Sequence, residues 1–223
     1  RARPSWVLRF LDSIVVTAED AGSIETVLYI DDDDTRSHYI EHADVRVVKL
    51  IRPKKTLGEM YKACFSASRG DIVMMTGDDF VFRSSKWDGV VKTLFHGFPD
   101  GILLIYGNDL NQGARVCTSP FISREMCKIL GAPCPSEYTG EFIDAHILDI
   151  FNKLKAEGHD RINYLDDVII EHMHHVVGKA PFDETYANRT PTALSRAIYQ
   201  KLEGLRDEQA RILLTHIQKS RNQ

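Results

Sequence analysis

Ile72-Val73-Met74-Met75-Thr76-Gly77-Asp78-Asp79-Phe80 is the stretch whose reading decides the fold class. The apolar run 72–75 has the length and composition of a buried strand. Gly77 ends it, and two adjacent carboxylates follow at its carboxyl end. In open α/β sheets, ligands bind just outside the carboxyl ends of the strands. Two acids there suit a divalent cation, which takes oxygen ligands and neutralises phosphates. The plain alternative is a solvated turn, since Gly and Asp are also turn residues.

Working backwards, Thr56 and Glu59 have capping-box spacing at the start of a helical run. Met60, Tyr61, Cys64 and Ala67 form its inner face, and Gly70 stops it. A basic loop, 52–55, separates that helix from a strand at 45–51. Residues 24–30 read as another strand, ending in Asp31, Asp32, Asp33 and Asp34; residues 35–42 suit a short helix. The chain opens with a helix, where Pro4 precedes Trp6, Val7, Phe10, Leu11, Ile14 and Val15 at helical spacing.

Working forwards, Ser85 and Asp88 cap a helix running to about Phe95. A buried strand at 102–106 and a short strand at 115–118 lead to a Ser123-capped helix ending at Leu130. Residues 131–140 hold two prolines and two glycines and read as a working loop. A helix at 141–156 closes at Gly158, and 167–173 reads as the last strand. From Thr192 the tail is an amphipathic helix or helix pair, which packs on the domain or pairs with another chain. Strands alternating with helices predict an α/β fold with a mostly parallel central sheet and helices on both faces. Such folds usually open with a strand. Here that strand is missing, or the sheet is completed differently.

With 223 residues and 43% apolar content, the chain can bury a full core. A net charge of −4 and a pI near 6.1 argue against a generally basic nucleic-acid binder. No apolar run approaches the ~20 residues that span a bilayer, and the N-terminus shows no secretory signal pattern. Cys64, Cys117, Cys127 and Cys134 form no CxxC pair and read as reduced core thiols of a cytoplasmic protein.

Four polar clusters fall at strand ends or helix starts. Asp31 and Asp32 can accept hydrogen bonds from a nucleobase or ribose; Asp33 and Asp34 read as a solvated acidic turn. Of Asp78 and Asp79, side chains of adjacent residues diverge, so one ligates a metal while the other contacts ribose or an outer partner; Asp79 is the preferred ligand. Glu141 and Asp144, at i and i+3, share a helix face. An ionised carboxylate there can act as a general base, though acids are common in first turns simply because they stabilise them. His172 and His174 alternate on a strand about 7 Å apart, so one of them is expected to bind a metal such as Mn²⁺. Gly178-Lys179 with Asp183 and Tyr186 resembles a closing loop carrying groups for phosphate and substrate.

Taken in order and spacing, these residues resemble the GT-A glycosyltransferases, specifically the inverting family-2 type, with the run Gly178-Lys179-Ala180…Asp183-Glu184-Thr185-Tyr186 like that of phage and bacterial relatives. The opening Arg-Ala-Arg-Pro and Leu8-Arg9-Phe10-Leu11-Asp12-Ser13-Ile14 look like the family's first loop and helix. Where the family has Asp-x-Asp, this sequence has Thr76-Gly77-Asp78-Asp79. The resemblance covers about residues 1–186, with 187–223 as a C-terminal helical extension outside it. It implies a nucleotide-diphosphate sugar donor and Mn²⁺ or Mg²⁺. It also implies Asp31 and Asp32 at the nucleobase, Asp78 and Asp79 at the metal and donor, a histidine ligand from His172 or His174, and Lys179 at phosphate. Asp144 is the implied base and Glu141 its rival. The acceptor is a glycan, a small molecule or, with no support from the acidic total, modified DNA; the tail allows a homo-oligomer. Competing classes are a nucleotidyltransferase acting on sugar phosphates, whose Gly-rich lysine loop is not visible, and a non-catalytic sugar- or nucleotide-binding module.

Overall fold

The computed structural model describes residues 2–220. Helix α1 (Pro4–Thr17) starts with Pro4 in its first turn, where a missing N–H is no loss. It buries Phe10, Leu11 and Ile14. Two parallel strands follow, β1 (Glu25–Asp31) and β2 (Arg46–Arg52). Residues 35–42 between them make turns rather than the expected helix. Asp34 anchors those turns, accepting Ser37 Oγ at 2.8 Å and the Ala2 N–H at 2.7 Å. It is therefore buried, not the solvated residue expected from the sequence.

Helix α2 (Leu57–Ala67) has the full capping box, with Glu59 N–H to Thr56 Oγ1 at 3.2 Å and Thr56 N–H to Glu59 Oε2 at 3.1 Å. Gly58 admits no side chain, because a Cβ would lie 2.1 Å from the Pro135 carbonyl. The segment 131–140 is thus docked on α2, with Gly58 N–H bonded to Tyr138 O at 2.9 Å. Tyr138 is fully buried, so this segment packs firmly onto the domain.

A five-stranded sheet contains β3 (Ile72–Met74), β4 (Phe80–Phe82), β5 (Leu104–Asn108), β6 (Phe121–Ser123) and β7 (Ile162–His172), in the order β3-β6-β5-β7-β4. Only β5–β7 is parallel; β3–β6, β6–β5 and β7–β4 are antiparallel. The sheet is mixed, which corrects the expected mostly parallel one. The difference has a physical source: β3, β4 and β6 are three-residue strands, too short to leave a periodic signal, and β5 leads to β6 without a crossover α-helix. The expected strand at 115–118 is a 3-10 turn and coil. Strand β7 is longer than expected. Its first half pairs with β5 and, after an irregularity at Gly107 and Asn108, its second half pairs with β4. A Cβ on Gly107 would meet the Val168 carbonyl at 2.4 Å, so that crossing needs glycine.

Alternate residues of β5 and its neighbours feed two cores, one on each face. Leu104, Tyr106 and Ile122 pack with α5 (Ile143–Ala156) and α8 (Glu203–Ser220). Ile105 and Phe121 pack with α1 and α3 (Trp87–His96). Helix α3 lacks its expected Ser85–Asp88 cap: Lys86 is the cap residue, in a left-handed conformation. Asp88 instead accepts the N–H groups of Glu19 and Asp20 beyond α1, at 2.6 and 3.2 Å. Helix α4 (Arg124–Leu130) does have its Ser123 cap, on Met126 N–H at 2.9 Å.

The tail forms α7 (Thr192–Lys201) and α8, after the short α6 (Glu184–Ala187). Leu213 and Ile217 are fully buried against α4 and α5, each worth about 1.5–3 kcal/mol. Of the tail's apolar face, Leu213 and Ile217 pack into this chain's own core, while Leu194 and Ile212 stay exposed. Two strand edges have no neighbour among the described residues: β1, away from β2, and β3, away from β6. A cavity of about 1360 Å³ lies between them.

Candidate active site

The acidic pair lies in the turn joining β3 to β4. Tyr61 Oη donates to the Thr76 carbonyl at 3.3 Å, and Ser119 Oγ to Thr76 Oγ1 at 3.0 Å, fixing the start of that turn. Met173 N–H donates to the Asp79 carbonyl at 2.7 Å, fixing its end on β7. The β4–β7 register sets Phe80 opposite His172, and their rings stack at 4.3 Å and 18°. That stack holds His172 Nε2 3.4 Å from Asp79 Oδ2. The other ring nitrogen, Nδ1, is buried with no hydrogen-bond partner among the described residues.

Asp78 turns the other way, as expected for adjacent residues, and meets Arg3 NH1 at 3.3 Å. Arg3 is buried between the rings of Trp6 and Tyr186, 4.3 and 4.6 Å away. It also grips Asp183 through two nitrogens at 2.7 and 2.6 Å. Tyr186 Oη reaches Asp79 Oδ2 at 3.1 Å. Burial raises the Asp78 pKa, and the neighbouring Asp79 adds to the rise. Burial pushes Asp79 the same way, but His172, Tyr186 and Arg3 outweigh it and hold that carboxyl below its ordinary range.

Helix α5 starts at Ile143, with Phe142 left-handed at φ 76°. Glu141 therefore stands outside the helix, and the expected shared face with Asp144 does not form. Glu141 pairs with Arg189 at 3.7 Å. Asp144 stays in the first turn, its Oδ1 accepting Ala145 N–H at 2.8 Å. Burial pushes its pKa up, Glu141 adds to this, and nearby His172 opposes it.

Asp31 and Asp78 line the same cavity as Arg3, and Asp32 is exposed beside them. His174 lies past the end of β7. Its Nδ1 accepts Val176 N–H at 3.3 Å and its Nε2 faces Arg189 at 3.1 Å. Burial and the charges of His172, His175 and Arg189 bring its pKa down to about 4. Lys179 binds Glu171 at 2.9 Å. Glu171, next to His172 on β7, points to the other face of the strand. Sequence reasoning did not single out Arg3 or Arg189 as site residues. Their partners are 75 and 180 residues away for Arg3, and no local pattern marks such contacts.

An Asp oxygen and a His nitrogen 3.4 Å apart are close enough to ligate one ion together. No group of three His, Cys, Asp or Glu side chains converges like a complete metal shell among the described residues. Asp79 and His172 thus fit a partial shell, of the kind that substrate phosphates and water complete.

No protein-family model and no curated protein matches the sequence. Among solved structures, the chain is similar to the mannosyltransferase PcManGT from Pyrobaculum calidifontis in complex with GDP-Man and Mn²⁺. The TM-score is 0.58 at 13% identity, covering 96% of this chain and 70% of that one. Glucosyl-3-phosphoglycerate synthase from Mycobacterium tuberculosis, in complex with Mn²⁺ and UDP-glucose, matches at TM-score 0.47 and 15% identity over 88% of this chain and 81% of that one. A mycobacterial protein matches at 0.45 and 19% over 78% and 64%. The first of these carries the likeness: the fold resembles that of the GT-A glycosyltransferases.

Proposed function

We propose that this chain is a metal-dependent glycosyltransferase of the inverting, family-2-like kind. It moves a sugar from a nucleotide-diphosphate donor to an acceptor hydroxyl. The observation that carries the reading is the meeting of Asp79 with His172 beside Asp78–Arg3, with Asp144 in electrostatic reach of His172. Residues 1–186 form the catalytic unit and 187–223 its helical extension.

Mn²⁺ or Mg²⁺, held by Asp79 and His172 together with donor phosphates, would neutralise the charge of the leaving diphosphate. Asp31 and Asp32 accept hydrogen bonds from the nucleoside. Arg3 is a fixed cation beside Asp78, and Asp183 and Tyr186 hold it in place. Asp144, its basicity raised by burial, takes the proton from the acceptor hydroxyl as that oxygen attacks the anomeric carbon. Glu141, paired with Arg189, positions the segment that bears Arg189.

The test is a thermal-shift panel of nucleotide-sugars with and without Mn²⁺, led by GDP-mannose because the PcManGT structure holds it. A true donor near 100 Kd adds about 2.7 kcal/mol, a rise of about 5–10 °C for a domain of this size. The rise should need both donor and metal. If no donor in the panel raises the midpoint only when Mn²⁺ is present, the reading is wrong. Product analysis then separates sugar transfer from nucleotidyl transfer and from idle binding.

A further inference from the structure

Phe142 holds a left-handed backbone, with φ 76° and ψ 6°. That conformation suits glycine or asparagine and strains an aromatic residue. The turn decides where α5 begins. It makes Ile143 the first helical residue and puts Asp144 in the first turn. The Phe142 carbonyl accepts the His146 N–H at 2.9 Å, the first bond of the helix. No side chain caps this start. A right-handed Phe142 would let the helix begin earlier, and Asp144 would no longer stand in its first turn.

The strained residue is held by the C-terminal extension. Ser195 of α7 is buried near Gly140, where an added Cβ would lie 4.0 Å from its Oγ. The Arg196 guanidinium lies 5.5 Å from the centre of the Phe142 ring. The Tyr199 ring packs on Phe142 at 5.5 Å and 33°. Tyr199 is fixed in turn. The buried Arg206 lies 3.8 Å over its ring and donates to its carbonyl at 2.5 Å. Arg206 also donates to Asp149 of α5 at 2.6 Å. These contacts close a loop from α5 through α7 and α8 back to α5. The His146–Gln209 bond ties the body of α5 to α8; the Phe142 contacts bear on its start.

We propose that Phe142 is a positioning residue for Asp144, held in its left-handed turn by Tyr199 of the C-terminal extension. It acts by fixing where α5 begins and hence where Asp144 stands. The extension thereby bears on proton transfer from outside residues 1–186. The inference rests on the proposed role of Asp144 as base.

The test is a pair of double-mutant cycles. Tyr199→Ala removes the ring from α7. Phe142→Gly keeps the turn accessible but drops the contact. Each is made in the parent and in Asp144→Asn. Turnover is read as nucleoside diphosphate released from the nucleotide-sugar that the melting panel identifies, beginning with GDP-mannose, with Mn²⁺ present. In the parent, both substitutions should lower kcat at least about tenfold, the cost of a misplaced catalytic group. KM for the donor should stay within about twofold, and the Mn²⁺-dependent melting shift should remain. Tyr199→Phe, which keeps the ring, should keep the parent rate. In Asp144→Asn neither substitution should slow turnover further, because a residue acting through Asp144 has nothing left to position. Hydrogen exchange needs no donor: amides 145–149 should exchange faster in Tyr199→Ala than in Tyr199→Phe. Equal exchange overturns the proposal, as do equal rate losses in both backgrounds or a parent-like kcat in both single variants. Full turnover by Asp144→Asn removes the base, and this inference with it, but leaves donor and metal binding standing. A panel with no Mn²⁺-dependent donor removes both.

Discussion

Helix α5 and strand β7 each deliver a histidine, His146 buried and His172 partly buried, and the two rings differ in how their nitrogens are used. His146, in α5, has both occupied. Its Nε2 donates to Gln209 Oε1 at 2.7 Å, and its Nδ1 accepts from Tyr138 Oη at 2.8 Å. It ties α5 to α8 and to the docked segment 131–140. Burial brings its pKa down to about 4, so it is neutral and wholly spent on structure. His172 has one nitrogen beside Asp79 and the other with no partner among the described residues. His146 is committed to structure through both nitrogens, whereas His172 turns Nε2 toward the Asp79 carboxylate.

The contrast recurs within α5, where Asp144 and His146 stand two residues apart on different faces. Asp144→Asn should lower turnover about 10²–10⁴-fold, with metal-dependent donor binding and the melting midpoint kept. Steady-state rates with the identified donor and acceptor check this; an unchanged rate removes Asp144 as base. His146→Ala should do the reverse. It opens a cavity and orphans Tyr138 Oη and Gln209, costing about 3 kcal/mol in denaturant unfolding. Donor affinity should stay within about twofold of the parent once the protein is folded.

The same histidine sets a pH dependence. Between pH 6.5, its ordinary value, and about 4, the unfolded chain holds a proton that the native chain does not. Stability therefore falls as pH drops through that window, by about 3 kcal/mol in all. Carboxylates with lowered pKa, such as Asp88, add their own loss at lower pH. The informative quantity is the difference from His146→Gln, whose unfolding should lack this component between pH 6.5 and 4. Parallel curves for the two proteins would refute the assignment.

How much of this was legible in the sequence depended on the range of the interactions. The capping box at Thr56 and Glu59 and the Ser123 cap are local, and they form as expected. The apolar runs at 72–75 and 102–106 announced strands, which form at 72–74, only partly buried, and at 104–108. The acidic pair and the His172 region were visible because polar residues interrupt apolar runs there. Three-residue strands such as β4 carry no period, so the antiparallel β4–β7 pairing that brings Asp79 to His172 was not visible. Nor was Arg3, whose role comes from Asp78 and Asp183 far along the chain. Glu141 and Asp144 show the opposite failure: a sound i, i+3 rule applied two residues too early, because the left-handed Phe142 delays the helix to Ile143.

The smallest expected effect gives the sharpest test of the comparison, because it separates two histidines of one short motif. His172 and His174 lie with ring centres 5.0 Å apart, and either could pass for a metal ligand by sequence. Their surroundings differ. His172 is packed on Phe80 and faces Asp79. His174 has its Nδ1 on Val176 N–H and its Nε2 against Arg189. An imidazole in contact with a guanidinium cannot also present that lone pair to a cation without moving the arginine. His172→Ala should therefore weaken Mn²⁺ binding at least about tenfold, measured by calorimetry with donor present. His174→Ala should change it less than about twofold and shift stability by no more than about 0.5 kcal/mol, the usual scale away from a fully buried network. A tenfold loss in the second variant would mean that Arg189 releases His174 when the ion binds, and hydrogen-bond satisfaction would no longer separate ligand from scaffold at this site.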